Sequence, residues 1–132
     1  MTATDLHTHP VHLGLGATAV SEPAFTGGYE WFADYAARHA DDGTEGRLVS
    51  LFAFDSPWTT WEMHPLGAEV VVCLSGEITL HQEQPDGTVA TTCLTAGQYC
   101  INAPGIWHTA DTQGPATALF ITAGAGTEIR AR

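Results

Sequence analysis

Residues 61–76, WEMHPLGAEVVVCLSG, decide the fold. Side chains two apart on a strand share a face, so Glu62 and His64 point the same way. Pro65 and Gly67 then break the strand, and a turn or bulge there resets the alternation so that Glu69, Val71 and Cys73 share the inner face of the next one. Ser75 and Gly76 close that strand with a hairpin turn. Two carboxylates and an imidazole can then all face one barrel interior.

Working outward, short apolar runs recur every ten or so positions from Arg47 onward. Strands are predicted at Leu48–Phe54, Thr59–His64, Glu69–Leu74, Glu77–Gln82, Thr88–Leu94, Gln98–Ile101, His108–Ala110 and Ala116–Ala123. Turn residues separate them, at Pro85-Asp86-Gly87, Ala96-Gly97, Pro104-Gly105 and Gly114-Pro115. This spacing predicts an all-β chain, with antiparallel hairpins closing into one small barrel. Upstream, residues 1–28 are rich in Gly, Thr and Pro and are expected to form an arm lying on the body. One short alternating piece falls near Ala17–Val20. Tyr29–Ala40 is the one convincing helix, with Tyr29, Phe32, Ala33, Ala36 and Ala40 on its apolar face and an Asp34–Arg38 pair at i,i+4. The expected organisation is residues 1–46 as arm and helix and 47–132 as the barrel, within one structural domain.

Composition narrows the chemistry. The 132 residues carry 15 acidic side chains against four Arg and no Lys, for a formal charge of −11. Four cations cannot replace the counterions of nucleic acid or of an anionic bilayer, so neither is an expected partner. Without Lys, Schiff-base chemistry and a P-loop phosphate clamp are excluded. The hydrophobic share of 44% is enough to bury a core and argues against disorder. Cys73, Cys93 and Cys100 have no CxxC spacing, which points to reduced thiols and a cytoplasmic protein. The N-terminal stretch has neither a basic region nor a long apolar run, so neither a signal peptide nor a membrane span is expected.

A second segment, GQYCINAPGIWH at 97–108, turns tightly at Pro104-Gly105 and opens the next strand with His108. A barrel can bring that imidazole opposite Glu62, His64 and Glu69. Together the two segments resemble the paired motifs of the cupins, with Glu62, His64, Glu69 and Gly76 in the first and Gly97, Pro104, Gly105 and His108 in the second. The resemblance covers roughly residues 47–124. Its departures are Glu62 where the family has a first His, Pro directly before Gly, and Thr112 in place of a final Asn. The wider run WEMHPxGxE, with DGxEGRLV before it and PGxWHTAD after it, is similar to a group of small cupin-domain proteins. The resemblance implies a small jelly-roll β-barrel, commonly dimeric, with a metal site inside.

The ligand chemistry fits that implication, because imidazole and carboxylate suit first-row divalent ions such as Fe, Mn, Ni or Zn. The candidate ligands are Glu62, His64, Glu69 and His108, with Glu62 and Glu69 also the candidate proton carriers. Two carboxylates formally neutralise a divalent ion, giving a weaker Lewis acid and less attraction for anions than a site with three His and one Glu. The alternatives are that the two histidines are hydrogen-bonded core residues and that Glu62 is a structural partner or a base. Trp58, Thr60, Cys73 and Gln98 are the expected pocket residues, Cys73 as an inert apolar group. His7, His9 and His12 resemble a ligand cluster but lie in a Gly-rich arm, where incidental exposure is the commoner meaning. Two functions are carried forward. One is a metal-dependent enzyme of dioxygenase, isomerase or lyase type acting on a small oxygen-bearing molecule; the other is a non-catalytic module that binds or senses a small ligand. Exposed strand edges give a reason to expect a homodimer.

Overall fold

The structure, a computed structural model, describes residues 2–132. Eleven strands form two antiparallel sheets, and one helix precedes most of them. In chain order these are β1 (Val11–Gly14), β2 (Thr18–Ser21), α1 (Tyr29–Arg38), β3 (Arg47–Phe54), β4 (Thr60–Met63), β5 (Glu69–Ser75), β6 (Ile78–Glu83), β7 (Val89–Leu94), β8 (Tyr99–Asn102), β9 (His108–Asp111), β10 (Ala116–Thr122) and β11 (Glu128–Ala131). The six-stranded sheet runs β2-β1-β3-β10-β5-β8 and the five-stranded sheet β11-β4-β9-β6-β7. This is the jelly-roll arrangement expected for an all-β chain with one helix. Among the described residues, no helix is long and apolar enough to cross a membrane.

Alternation builds the core. On β5, Glu69, Val71 and Cys73 are buried while Val70 and Val72 are half-buried, which is the inward set expected after the break at Pro65 and Gly67. Val71, Cys73, Ile78, Leu80, Leu94, Ala110, Ala116, Ala118 and Phe120 form one contiguous cluster, with Phe52, Phe54, Trp58 and Cys100 packed against it. Small residues on β10 leave room for the aromatic rings of β3. Phe52 and Phe54 each meet Phe120 edge-on, at 5.7 and 6.1 Å between ring centroids.

Part of the N-terminal arm is strand: β1 pairs with β3 and β2 with β1, so both extend the six-stranded sheet. The helix is corrected. Helix α1 stops at Arg38, and its inward line is Trp31, Tyr35 and His39; Tyr29 and Phe32 are exposed. Trp31 instead meets Phe25, which bridges to Phe52 on β3. Arg38 pairs with the buried carboxylate of Glu22 at 3.0 Å, which draws it off the expected Asp34 partner. Strand β11 is an addition, placed beside β4 by pairing Ile129 with Glu62 and Arg130 with Trp61.

Candidate metal centre

The site forms where the two sheets face each other. Glu62 on β4 is the registered partner of His108 on β9, and Glu69 on β5 sits between Asn102 of β8 and Thr122 of β10. His64 follows β4 directly. Glu69, His64 and His108 are buried, and Glu62 is half-buried. Ligand atoms of Glu62, His64 and His108 all lie within 4.8 Å of one another, so this group could hold a metal ion. Glu69 spans the two imidazoles, with Oε2 3.2 Å from His64 Nε2 and Oε1 3.2 Å from His108 Nε2.

Neither approach is directed as a hydrogen bond, and both Nε2 atoms are buried without a partner. Their outer nitrogens explain this. His108 Nδ1 lies 3.1 Å from the Ile106 carbonyl, which can only accept, so Nδ1 carries the proton. His64 Nδ1 lies 2.7 Å from Thr127 Oγ1, whose own proton is given to the Gly124 carbonyl at 2.8 Å. His64 Nδ1 must therefore donate. In neutral imidazoles both Nε2 lone pairs then face inward, beside a carboxylate that offers more lone pairs. A proton or a cation is what this arrangement lacks.

A first-row ion fits it. With bonds of about 2.0–2.2 Å, neighbouring ligand atoms on such an ion lie roughly 3 Å apart, in line with the two 3.2 Å separations. The carboxylate is also held in place, since Glu69 Oε1 accepts from Asn102 Nδ2 at 3.0 Å and Oε2 from the Thr122 hydroxyl at 2.7 Å. Gln82 in turn donates to Asn102 Oδ1 at 2.7 Å. Outer bonds of this kind set ligand direction and basicity.

The two carboxyls are driven apart. Burial alone would raise Glu69, but His108 and His64, once they carry a proton on Nε2 as well, outweigh burial and hold it well below the usual carboxylate range. Burial and then the Glu69 charge push Glu62 upward, against the smaller pull of His64 and His108. Burial pulls His108 down, and Glu69 outweighs it to leave this imidazole raised. Among the described residues no donor is bonded to Glu62.

The expected pocket residues divide. Trp58 packs on Phe54 and Phe120 inside the barrel, and its Nε1 is buried without a partner. Thr60 leads β4, on the same alternation face as Glu62, and its carbonyl accepts from Thr109. Cys73 is fully buried in the core, with burial first among the causes that raise its thiol. Gln98 is a correction: it is exposed, and its Oε1 caps the turn by accepting from Thr95 N and Oγ1, outside the barrel. Sequence reasoning missed Thr122 and Thr127. Thr122 had a signal, because it continues the inward alternation of Ala118 and Phe120; Thr127, 63 residues from His64, had none.

The N-terminal histidines do not form a common site. His7 pairs with Asp5 and His9 with Thr8, while His12 is buried between Tyr35 (2.6 Å) and Asp42 (2.5 Å). His12, His39 and Asp42 cluster closely, but the two rings stack at 3.6 Å and 16°, so their in-plane lone pairs run parallel and do not converge. His39 Nε2 is also engaged by Glu22. The group ties β1 to the helix.

No family model matches the chain, and no curated protein sequence does. Solved structures do match. Oxalate oxidase superposes with a TM-score of 0.57 at 17% identity, over 70% of this chain and 50% of that one. An uncharacterised conserved protein from Klebsiella pneumoniae with a double-stranded β-helix domain gives 0.53 at 24% identity, over 65% and 76%. The chain has the cupin fold. A hydroquinone 1,2-dioxygenase in complex with Cd²⁺ and 4-hydroxybenzonitrile gives 0.51 at 16% identity, over 58% of this chain and 56% of its own. The chain thus spans about half the length of the oxidase and dioxygenase chains it matches.

Proposed function

We propose that this chain is a metal-dependent cupin enzyme acting on a small oxygen-bearing molecule, by dioxygenase, isomerase or lyase chemistry. The observation that carries the proposal is the pair of buried, partnerless Nε2 atoms of His64 and His108 on either side of Glu69. His64, His108 and Glu69 would hold a divalent ion of the Fe, Mn, Ni or Zn type, with Glu62 as fourth ligand or free carboxyl. Such an ion supplies Lewis acidity and, as iron, redox chemistry.

The protein's own groups divide the remaining work. Glu69 is fixed by Asn102 and Thr122, so it positions and neutralises and is not free to shuttle a proton. Glu62 has no such ties and a raised carboxyl, which makes it the group to give or take a proton at the substrate. Phe52, Phe54 and Trp58 line the interior near Phe120 and exclude water from the inner side. The matched oxalate oxidase and hydroquinone dioxygenase support substrates that offer hydroxyl, carbonyl or carboxylate oxygens. The same aromatic filling favours one second reading, a module that binds a small ligand without converting it. The three free thiols support a reducing, cytoplasmic setting, and we take the working unit to be a homodimer.

The test is elemental analysis of untagged protein, followed by oxygen uptake with a panel of small hydroxy- and keto-compounds. Near-stoichiometric metal with turnover of one compound is expected. Folded protein without metal, which also takes up no Co²⁺ or Fe²⁺, would remove the metal reading. Metal without turnover of any compound moves the protein to the binding module.

A further inference from the structure

We infer that Thr127 is the positioning residue that fixes His64 as a metal ligand, so that the turn after β10 is part of the metal centre. This deepens the proposed function and rests on its metal reading. The turn is built to point one hydroxyl. Thr127 N and Oγ1 both donate to the Gly124 carbonyl, at 3.1 and 2.8 Å, which commits the only hydroxyl proton and turns the oxygen's lone pair to His64 Nδ1 at 2.7 Å. If that proton went to His64 instead, two acceptor oxygens would stand 2.8 Å apart with nothing between them. One tautomer of His64 follows, with the proton on Nδ1 and the lone pair of Nε2 directed at Glu69.

The turn is seated against the segment that carries His64. Gly67 lies so close to Ala123 that a Cβ added there would stand 2.3 Å from the Ala123 Cβ, so the loop after His64 and the start of the Thr127 turn touch without a side chain between them. The strand that follows, β11, pairs along β4 from Met63 to Thr60 and fixes the other side of the turn. Its end is fastened by Arg132, which donates to the carbonyls of Trp58 and Ala110. Thr127 is thereby held between two anchored pieces, and neither depends on the hydroxyl. His108 has an equivalent constraint in the Ile106 carbonyl, a backbone group that substitution cannot remove. His64 is the ligand whose orientation is open to a side-chain change.

Two variants and two measurements test this. Thr127→Val keeps the shape and removes the hydroxyl, and Thr127→Ser restores it. In metal-free protein, long-range ¹H–¹⁵N correlation of the imidazoles is expected to show His64 protonated at Nδ1 in the wild type and in T127S, and shifted toward Nε2 in T127V. In a Co²⁺ titration followed by visible absorption, T127V is expected to bind about 10–100-fold more weakly with an altered spectrum, and T127S within a few-fold of the wild type. A wild-type His64 carrying its proton on Nε2 would overturn the inference by itself, even if T127V failed to fold. So would a T127V protein with wild-type tautomer and Co²⁺ affinity. If the wild type takes up no Co²⁺ while the tautomer shifts as expected, the metal reading has failed and the role of Thr127 in orienting His64 stands.

Discussion

Glu62 and Glu69 are seven residues apart and chemically opposite, and the difference lies in what surrounds each oxygen. Glu69 has two donors and two imidazoles, whereas Glu62 has burial and a neighbouring negative charge. With both ionised around a divalent ion, the centre is formally neutral, so Glu62→His should raise affinity for a small carboxylate. Calorimetric titration of the metal-loaded pair with oxalate or acetate checks this, and equal binding by both forms counts against it. Glu69 gives a complementary prediction. Asn102→Leu strips the donor from Oε1 and is expected to weaken Co²⁺ binding by about tenfold or more, read in the same titration. The four candidate ligands were legible because their spacing survives in one dimension, ExHxxxxE on one side and PGxxH on the other. Thr122 and Thr127 were not, since a hydroxyl on a late strand or turn carries no mark of the partner that folding brings to it.

At the scale of elements, eight strands could be located from apolar runs and the turn chemistry between them, because Gly and Pro punctuate the runs. Gly76 shows why that punctuation is reliable. It sits at φ +71°, and an added Cβ would lie 2.3 Å from the Pro115 carbonyl oxygen. Gly76→Ala is therefore expected to destabilise the fold by about 2 kcal/mol or more, combining left-handed strain with a backbone clash; a lowered urea midpoint checks it. Strand β11 escaped notice because Glu128–Ala131 has no apolar run, and it is held by fasteners that no periodicity reveals. Arg130 lies over the rings of Trp61 and Trp107 while pairing with Glu83, and Arg132 meets Asp111, which His81 also contacts. Burial pushes the Asp111 carboxyl up, but His81 and Arg132 outweigh it and hold it below its ordinary value of 3.8. A depressed acid stabilises the fold above its unfolded value and loses that contribution as pH falls through its folded one. Asp111→Asn should thus be less stable than the wild type at neutral pH, by about 1 kcal/mol or less because the pair is partly solvated. Thermal melts across pH should show that gap closing below about pH 4, and a gap independent of pH would reject the assignment.

For the whole molecule, the outer face of the six-stranded sheet presents a broad apolar area. Its registered rows run Leu51, Leu119, Val72, Tyr99 and Val49, Ile121, Val70, Ile101, without a carboxylate or a cation in either. Tyr99 and Ile101 are exposed, on an edge strand, at 64% and 53%. A formal charge of −11 disfavours close approach of two copies through acidic surface, and these rows carry none of that charge. A patch four strands wide spans about 15–20 Å, and a two-fold axis through it would pair the rows with themselves. We propose this face as the homodimer interface. The wild type should sediment at twice the 14.0 kDa chain mass, and Val72→Glu with Ile101→Glu should bring it to the mass of one chain. Because Val70, Val72 and Ile101 point away from the barrel, the double variant should keep its Co²⁺ spectrum while losing its partner. A wild type that sediments as one chain at micromolar concentration, or a double variant that remains paired, would exclude this face.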